Sequence, residues 1–334
     1  MTSERSSAMD WEQILLDGPG GAPIASELVA AGWQRSSDPA SGCGKAVTFA
    51  PGERVAERYV IERFLARGGM GEVYAAYDQT LDECMAIKTP LVTAADDEEV
   101  TASFVLEARL ARRISHRNVC RVYDLGLQDE RPREILHFMT MEYIDGERLG
   151  TRARRGMHDP AEIYSIARQI LCGLDATHRA RVLHRDLKSD NIVLVGSGVD
   201  ARAVITDFGL ACELNEQLQV CTTELSGSAG YMAPEQLLGQ PLSPRTDLFA
   251  FGVVLYEMLT GLLPFPRSRL RVQAAQRGTP APTPRIPRPW QPILRRCLRR
   301  DASERYPDAA SVLRALDGEP QLGWCRGGGS LTRV

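Results

Sequence analysis

His184-Arg185-Asp186-Leu187-Lys188-Ser189-Asp190-Asn191 is the stretch on which the fold turns. Downstream of it stand Asp207-Phe208-Gly209 and Ala233-Pro234-Glu235. Upstream stand Met85-Ala86-Ile87-Lys88 and Arg67-Gly68-Gly69-Met70-Gly71-Glu72-Val73-Tyr74. The glycines of the last run fall in a turn between two predicted strands, where missing side chains let backbone N–H groups come close to phosphate oxygens. Lys88 falls in a strand behind that turn. Taken singly, a glycine-rich turn is also what a plain hairpin needs, and a strand lysine is also an ordinary solvated residue. Independent short motifs in one order, at workable separations, weigh far more than any one of them.

Together these runs resemble the protein-kinase signature set, from about Tyr59 to Leu316. GGMGEVY, HRDLKSDN and GYMAPEQ are most similar to bacterial Ser/Thr protein kinases of eukaryotic (Hanks) type. The resemblance implies an α+β, bilobal fold, with a β-rich N-lobe holding one main helix and a helical C-lobe. The kinase domain would span 55–316, divided into N-lobe 55–141, hinge 142–146 and C-lobe 147–316. It also implies ATP as phosphoryl donor with Mg2+, in a reaction that needs charge neutralisation and in-line positioning more than covalent chemistry. Lys88 would hold the α and β phosphates. Its buried cation needs an anionic partner, assigned to Glu107. Phe104, Glu107, Leu110 and Ala111 share one helix face, the face that must pack toward the sheet. Asp186 would orient the acceptor hydroxyl and accept its proton, and Lys188 would offset charge beside the transferred group. Asn191 and Asp207 would give magnesium the hard oxygen ligands it prefers. Leu65, Val73, Ala86 and Val193 would line an adenine slot, with Met141 as gatekeeper and Glu142, Tyr143 and Ile144 as the connection between lobes. Gly68, Gly69, Met70 and Gly71 would cover the phosphates. Lys188, two residues after Asp186, resembles the Ser/Thr-specific form of the loop, so the expected substrates are proteins with Ser or Thr acceptors.

Two positions depart from the family pattern. Ala66 occupies the first glycine position of the loop, which leaves Gly68 and Gly71 as the closest phosphate approaches. Ser228 stands where the family often has Thr, with the hydroxyl retained. Between Leu210 and Met232 lies the expected activation segment, with autophosphorylation expected at Thr222 or Thr223. Arg185 is the arginine that would pair with a phosphate placed there. Glu235 and Arg305 resemble a buried ion pair anchoring that segment, and Asp247 the aspartate that bonds the catalytic-loop backbone. The rival from another class is a pseudokinase that binds ATP as a scaffold; its signature is a lost catalytic residue, and Lys88, Glu107, Asp186, Asn191 and Asp207 are all present.

Composition fits an ordinary globular chain of 334 residues. A net charge of -3 argues against a nucleic-acid partner. The eight cysteines form no Cys-x-x-Cys pair and no cluster with His, which speaks against structural zinc. The N-terminus lacks the apolar run of a secretory signal, so a cytoplasmic location is expected. The most apolar stretch, Leu248 to Phe265, reads as a buried core helix rather than a membrane span, because Glu257 and Pro264 interrupt it. Residues 1–50 and 317–334 read as a flexible arm and tail. From Tyr59, YVIERFLA, GEVYAAYD and CMAIKTP read as an antiparallel meander. Acidic residues 96–99 open a helix, ILHFMTMEYI follows as a strand, and Pro160 begins a largely helical remainder. TPAPTPRIPRPWQP, 279–292, reads as a surface connector before a helix carrying Leu294 and Leu298. The family resemblance also admits a homodimer through the N-lobe.

Overall fold

The computed structural model describes residues 47–68, 71–91, 98–131, 134–209, 211–213, 229–265 and 286–318. Gly69, Met70, Cys221, Thr222, Thr223, Ser228 and most of the expected arm and tail lie outside them.

The alternating runs form an antiparallel sheet of β1 (Arg54–Val55), β2 (Tyr59–Gly68), β3 (Gly71–Asp78), β4 (Glu83–Thr89), β5 (Val122–Arg131) and β6 (Glu134–Glu142). The strand order is β1-β2-β3-β4-β6-β5. The meander holds through β4. The chain then makes α1 (Glu98–Ala111), returns as the outer strand β5, which the sequence pattern does not announce, and pairs β6 between β5 and β4. Period-two alternation gives β4 two different faces. Met85 and Ile87 enter a small core with Phe49, Tyr59, Ile61, Tyr74 and Phe138, while Ala86 and Lys88 turn to the other side. Glycine is required at Gly71 because a Cβ there would collide with the Thr89 carbonyl. In α1, Glu98 and Glu99 occupy the first turn, where the helix dipole favours them, and Arg109 the last. Its buried residues are Phe104, Glu107, Ala108, Leu110 and Ala111, the face expected from spacing.

After β7 (Glu147–Arg148) come the helices α2 (Leu149–Arg155) and α3 (Pro160–Arg179), the latter capped by Asp159, which accepts from Ala161 N at 2.9 Å. Short strands follow: β8 (Val182–Leu183), β9 (Ile192–Val195), β10 (Arg202–Ile205) and β11 (Cys212–Glu213). They form a β10-β9-β7 sheet and a β11-β8 ribbon that add β structure to the half expected to be helical. Then come α4 (Pro234–Leu238), α5 (Pro244–Thr260), α6 (Gln291–Cys297) and α7 (Ala309–Gly318). The run from Thr246 to Met258 in α5 is buried on every side, which is why its sequence lacks a polar face. Gly261 ends α5 in the left-handed region at φ 72°. Among the described residues no helix is long and apolar enough to cross a membrane.

Two segments are packed more tightly than their composition suggests. Phe49, inside the stretch expected as a loose arm, is 0% exposed, and Thr48 and Phe49 are hydrogen-bonded to β3 residues. In the proline-rich connector, Ile286 and Trp290 belong to the main core, and α6 ends at Cys297, one residue before Leu298. Both segments present isolated large apolar side chains without periodicity, so their burial depends on surfaces contributed from elsewhere in the chain.

Candidate active site

Lys88, the inward residue of β4, meets α1 and the loop after β10 at one point. Its Nζ donates to Glu107 Oε1 at 2.6 Å and to Asp207 Oδ1 at 3.1 Å. Burial pulls the lysine pKa down, but the two carboxylates raise it further, so the net shift is upward and the ammonium is charged at neutral pH. For Asp207, burial pushes the carboxyl up and Lys88 overrides it, bringing the pKa down to about 2. Glu107 reaches this point because its helix face is the one that packs inward.

The run between β8 and β9 folds around Asp186. Its Oδ2 accepts from Lys188 Nζ at 2.7 Å and from Asn191 Nδ2 at 3.2 Å, and its main-chain oxygen accepts from the same Asn191 nitrogen at 2.9 Å. Asp247, buried in α5, holds the loop from below: its carboxylate accepts the N–H of His184 at 3.0 Å and of Arg185 at 2.9 Å, and lies 2.8 Å from His178 Nε2. Arg185 and Asp207 have φ of 67° and 64°, left-handed values that cost a residue with a side chain on the order of 1–3 kcal/mol. The surroundings over-determine both. Besides the Asp247 bonds, Gln236 Nε2 donates to Arg185 O at 2.8 Å, and Thr206 N donates to Asn191 O at 2.8 Å. The His184 and Phe208 rings lie 4.8 Å apart. Arg185 Nε is buried without a hydrogen-bond partner among the described residues. Farther down, Glu235 and Arg305 form the expected buried pair, at 2.7 and 2.8 Å.

A cleft of about 1220 Å³, open mouth included, runs beside these groups. Leu65, Val73, Ala86, Met141, Glu142, Ile144 and Val193 line it, as do Lys88, Glu107, Asn191 and Asp207. Asp186 and Lys188 are not in its wall but join it through Asn191. Gly68 and Gly71 face each other at the ends of β2 and β3, outside the lining. Glu142 is ion-paired to Arg202 of β10, which fastens the connection between lobes to the lower sheet. Sequence reasoning missed Cys120, Val122, Met139, Thr206 and the role of Phe208 in this lining. Met139 was within reach: it lies two residues before Met141 in one strand and therefore shares its face. Cys120 carried no such signal; burial pushes its thiol up to about 12, which makes it an apolar wall residue.

This two-lobed arrangement is the protein-kinase fold, and the protein kinase domain family profile matches residues 59–315: the chain belongs to that family. Among proteins of known name it is similar to the serine/threonine-protein kinase PrkC of Bacillus subtilis, 32% identical over 268 residues. That match covers 78% of this chain and 40% of PrkC. Similarity to PknL of Mycobacterium bovis is 33% over 263 residues, covering 76% of this chain and 64% of PknL. The chain thus spans well under two thirds of PrkC and slightly under two thirds of PknL. In solved structures, the PknI kinase domain of Mycobacterium tuberculosis superposes with a TM-score of 0.62 at 25% identity, covering 81% of this chain and 99% of that one.

Proposed function

We propose that the chain is an ATP-dependent protein-serine/threonine kinase that uses Mg2+ and phosphorylates its own activation segment at Thr222 or Thr223. The observation that carries the proposal is the ion-paired Lys88 sharing the wall of one largely apolar cleft with Asn191 and Asp207, and Asp186 lying one hydrogen bond beyond.

In this reading the apolar walls hold the adenine, and the Lys88 ammonium holds the α and β phosphates with Glu107 fixing its position. Asp186 orients the acceptor hydroxyl and takes its proton; Lys188, 2.7 Å from the Asp186 carboxylate, keeps that side chain in one rotamer and offsets charge at the transferred group. The donor chemistry fits magnesium. Asn191 directs its amide nitrogen at Asp186 through two hydrogen bonds, and its amide oxygen and the Asp207 carboxylate, on two side chains that line the same cleft, are the hard oxygen donors such an ion prefers. Among the described residues no group of three or more His, Cys, Asp or Glu could hold a metal, so the remaining ligands would be phosphates and water. Bound magnesium would neutralise phosphate charge during transfer. Arg185 Nε, without a hydrogen-bond partner among the described residues, supports the regulatory part, since a phosphate on the activation segment would supply a charge-assisted acceptor.

The test is phosphate incorporation from labelled ATP with magnesium, comparing wild type with Asp186→Asn, followed by mapping of modified residues. Wild type is expected to label itself on Thr or Ser in the 210–232 segment, with labelling reduced about 100-fold or more in the variant. Nucleotide binding without incorporation into the chain or a generic acceptor protein would favour the scaffold reading instead.

A further inference from the structure

Glu72 is 1% exposed and takes no part in the proposed transfer. Alternation along β3 sends Val73 into the cleft and leaves Glu72 and Tyr74 on the opposite face, where the Tyr74 ring lies 5.5 Å from Phe49 and 5.6 Å from Phe64. Glu72 is directly opposite Arg67 in the β2–β3 ladder, one position from the Gly68–Gly71 pair where the glycine turn begins. Arg67 Nε donates to Glu72 Oε1 at 2.6 Å. The other carboxylate oxygen accepts the N–H of Thr48 at 2.9 Å and the hydroxyl of Tyr74, and that hydroxyl accepts the N–H of Phe49 at 3.2 Å. One buried carboxylate therefore ties together both arms of the hairpin stem and a third segment, Thr48–Phe49, that precedes the sheet.

A buried carboxylate is tolerated only where donors replace its water. Here burial pushes the Glu72 carboxyl up, but the bonds from Tyr74, Thr48 and Arg67 outweigh it and hold it below the ordinary glutamate range. It is ionised at neutral pH, and its fixed donors define the position of the stem. Gly68 and Gly71, the pair next to the clamp, have little conformational preference of their own, so the placement of their N–H groups is governed by the stem.

We infer that Glu72 is a positioning residue for the nucleotide phosphates. It clamps the stem of the glycine turn through Arg67 and anchors it, through Tyr74 and the main chain of Thr48 and Phe49, to the polypeptide ahead of the sheet, so that phosphate affinity depends on that upstream segment. The inference rests on the reading of the cleft as an ATP site. Val73 and Ala86, which wall the adenine slot, are held in addition by the β3–β4 ladder, where Val73 is opposite Lys88 and Ala86 opposite Ala75.

The test is calorimetric titration of the 334-residue chain with magnesium ATP and, separately, with adenosine, for wild type, Glu72→Gln, Tyr74→Phe and Thr48→Pro. The last removes a backbone donor and a hydroxyl from outside the sheet and leaves the buried carboxylate in place, so it carries the test if Glu72→Gln does not fold. Each variant is expected to bind ATP about three- to tenfold more weakly while its adenosine affinity stays within about twofold of wild type. Thr48→Pro should raise KM for ATP with kcat retained. Unchanged ATP affinity, or equal weakening of ATP and adenosine, would overturn the inference. A wild type that binds neither would overturn the functional proposal, and this one with it.

Discussion

Two buried ion pairs, Lys88–Glu107 beside the cleft and Arg305–Glu235 in the lower lobe, differ in how far their cations are used. Arg305 spends all five guanidinium N–H groups within the protein: four bonds from its terminal nitrogens reach both Glu235 oxygens and the carbonyls of Arg245 and Arg300, and Nε reaches Arg299 O. Thr246 adds a bond to Glu235 at 3.0 Å, and the Phe249 ring covers the guanidinium at 4.9 Å. Nothing remains for a ligand. The Lys88 ammonium has three N–H groups and spends two, on Glu107 and Asp207, so among the described residues one is left for the cleft. Asp207 is also 22% exposed at its side chain, whereas Arg305 is sealed. A saturated buried pair holds a fold together; an unsaturated one at a cleft wall is equipped to bind an anion.

The largest effect should come from breaking the saturated pair. Arg305→Met keeps the volume but strands the Glu235 carboxylate, and the expected loss is about 3 to 5 kcal/mol of stability, measured by urea denaturation. Lys88→Met should produce the opposite pattern. Phosphoryl transfer should fall on the order of 100- to 1000-fold, while stability falls less than in Arg305→Met, because Asp207 can be rehydrated through the cleft and Glu107 can take up a proton. Equal stability losses in the two variants would dissolve the distinction between a structural and a binding cation.

The sequence made the pair beside the cleft easier to find than the forces around it. Lys88, Asp186, Asn191 and Asp207 were legible because each sits at a fixed offset in a short run, and Glu107 because helical spacing put it on the apolar face of α1. The bilobal architecture followed from the same runs, with β2 to β4 readable from alternation. What escaped is what converges from separate segments. Glu72 is buried by Thr48, Arg67 and Tyr74 together, and no local pattern marks a carboxylate in a strand as buried. Phe49 and Trp290 sit in stretches rich in glycine or proline, where composition suggested exposure; they are buried because other elements supply the covering surface. β5 carries Asp124 and Gln128 within its apolar pattern, and its place at the sheet edge tolerates them.

Acid titration sharpens the comparison with the smallest expected signal. The Asp207 carboxyl has a folded pKa of about 2 against an ordinary value of 3.8. A depressed carboxyl contributes stability that is fully present above the unfolded pKa and is lost as pH falls toward the folded one, here between about pH 4 and pH 2. Its partner Lys88 has a raised pKa, so its share is complete below the ordinary lysine value and does not change in this acid range. Asp78 and Asp247 are also depressed and will contribute to the acid slope of any variant, so the useful quantity is a difference. Wild type should lose about 2 kcal/mol more than Asp207→Asn across that window, discounted for the partial exposure of the side chain. Denaturation curves recorded from pH 5 down to the lowest pH at which both proteins fold should therefore converge. Parallel curves would mean that the Lys88–Asp207 contact contributes nothing to stability, and that Glu107 alone holds the lysine.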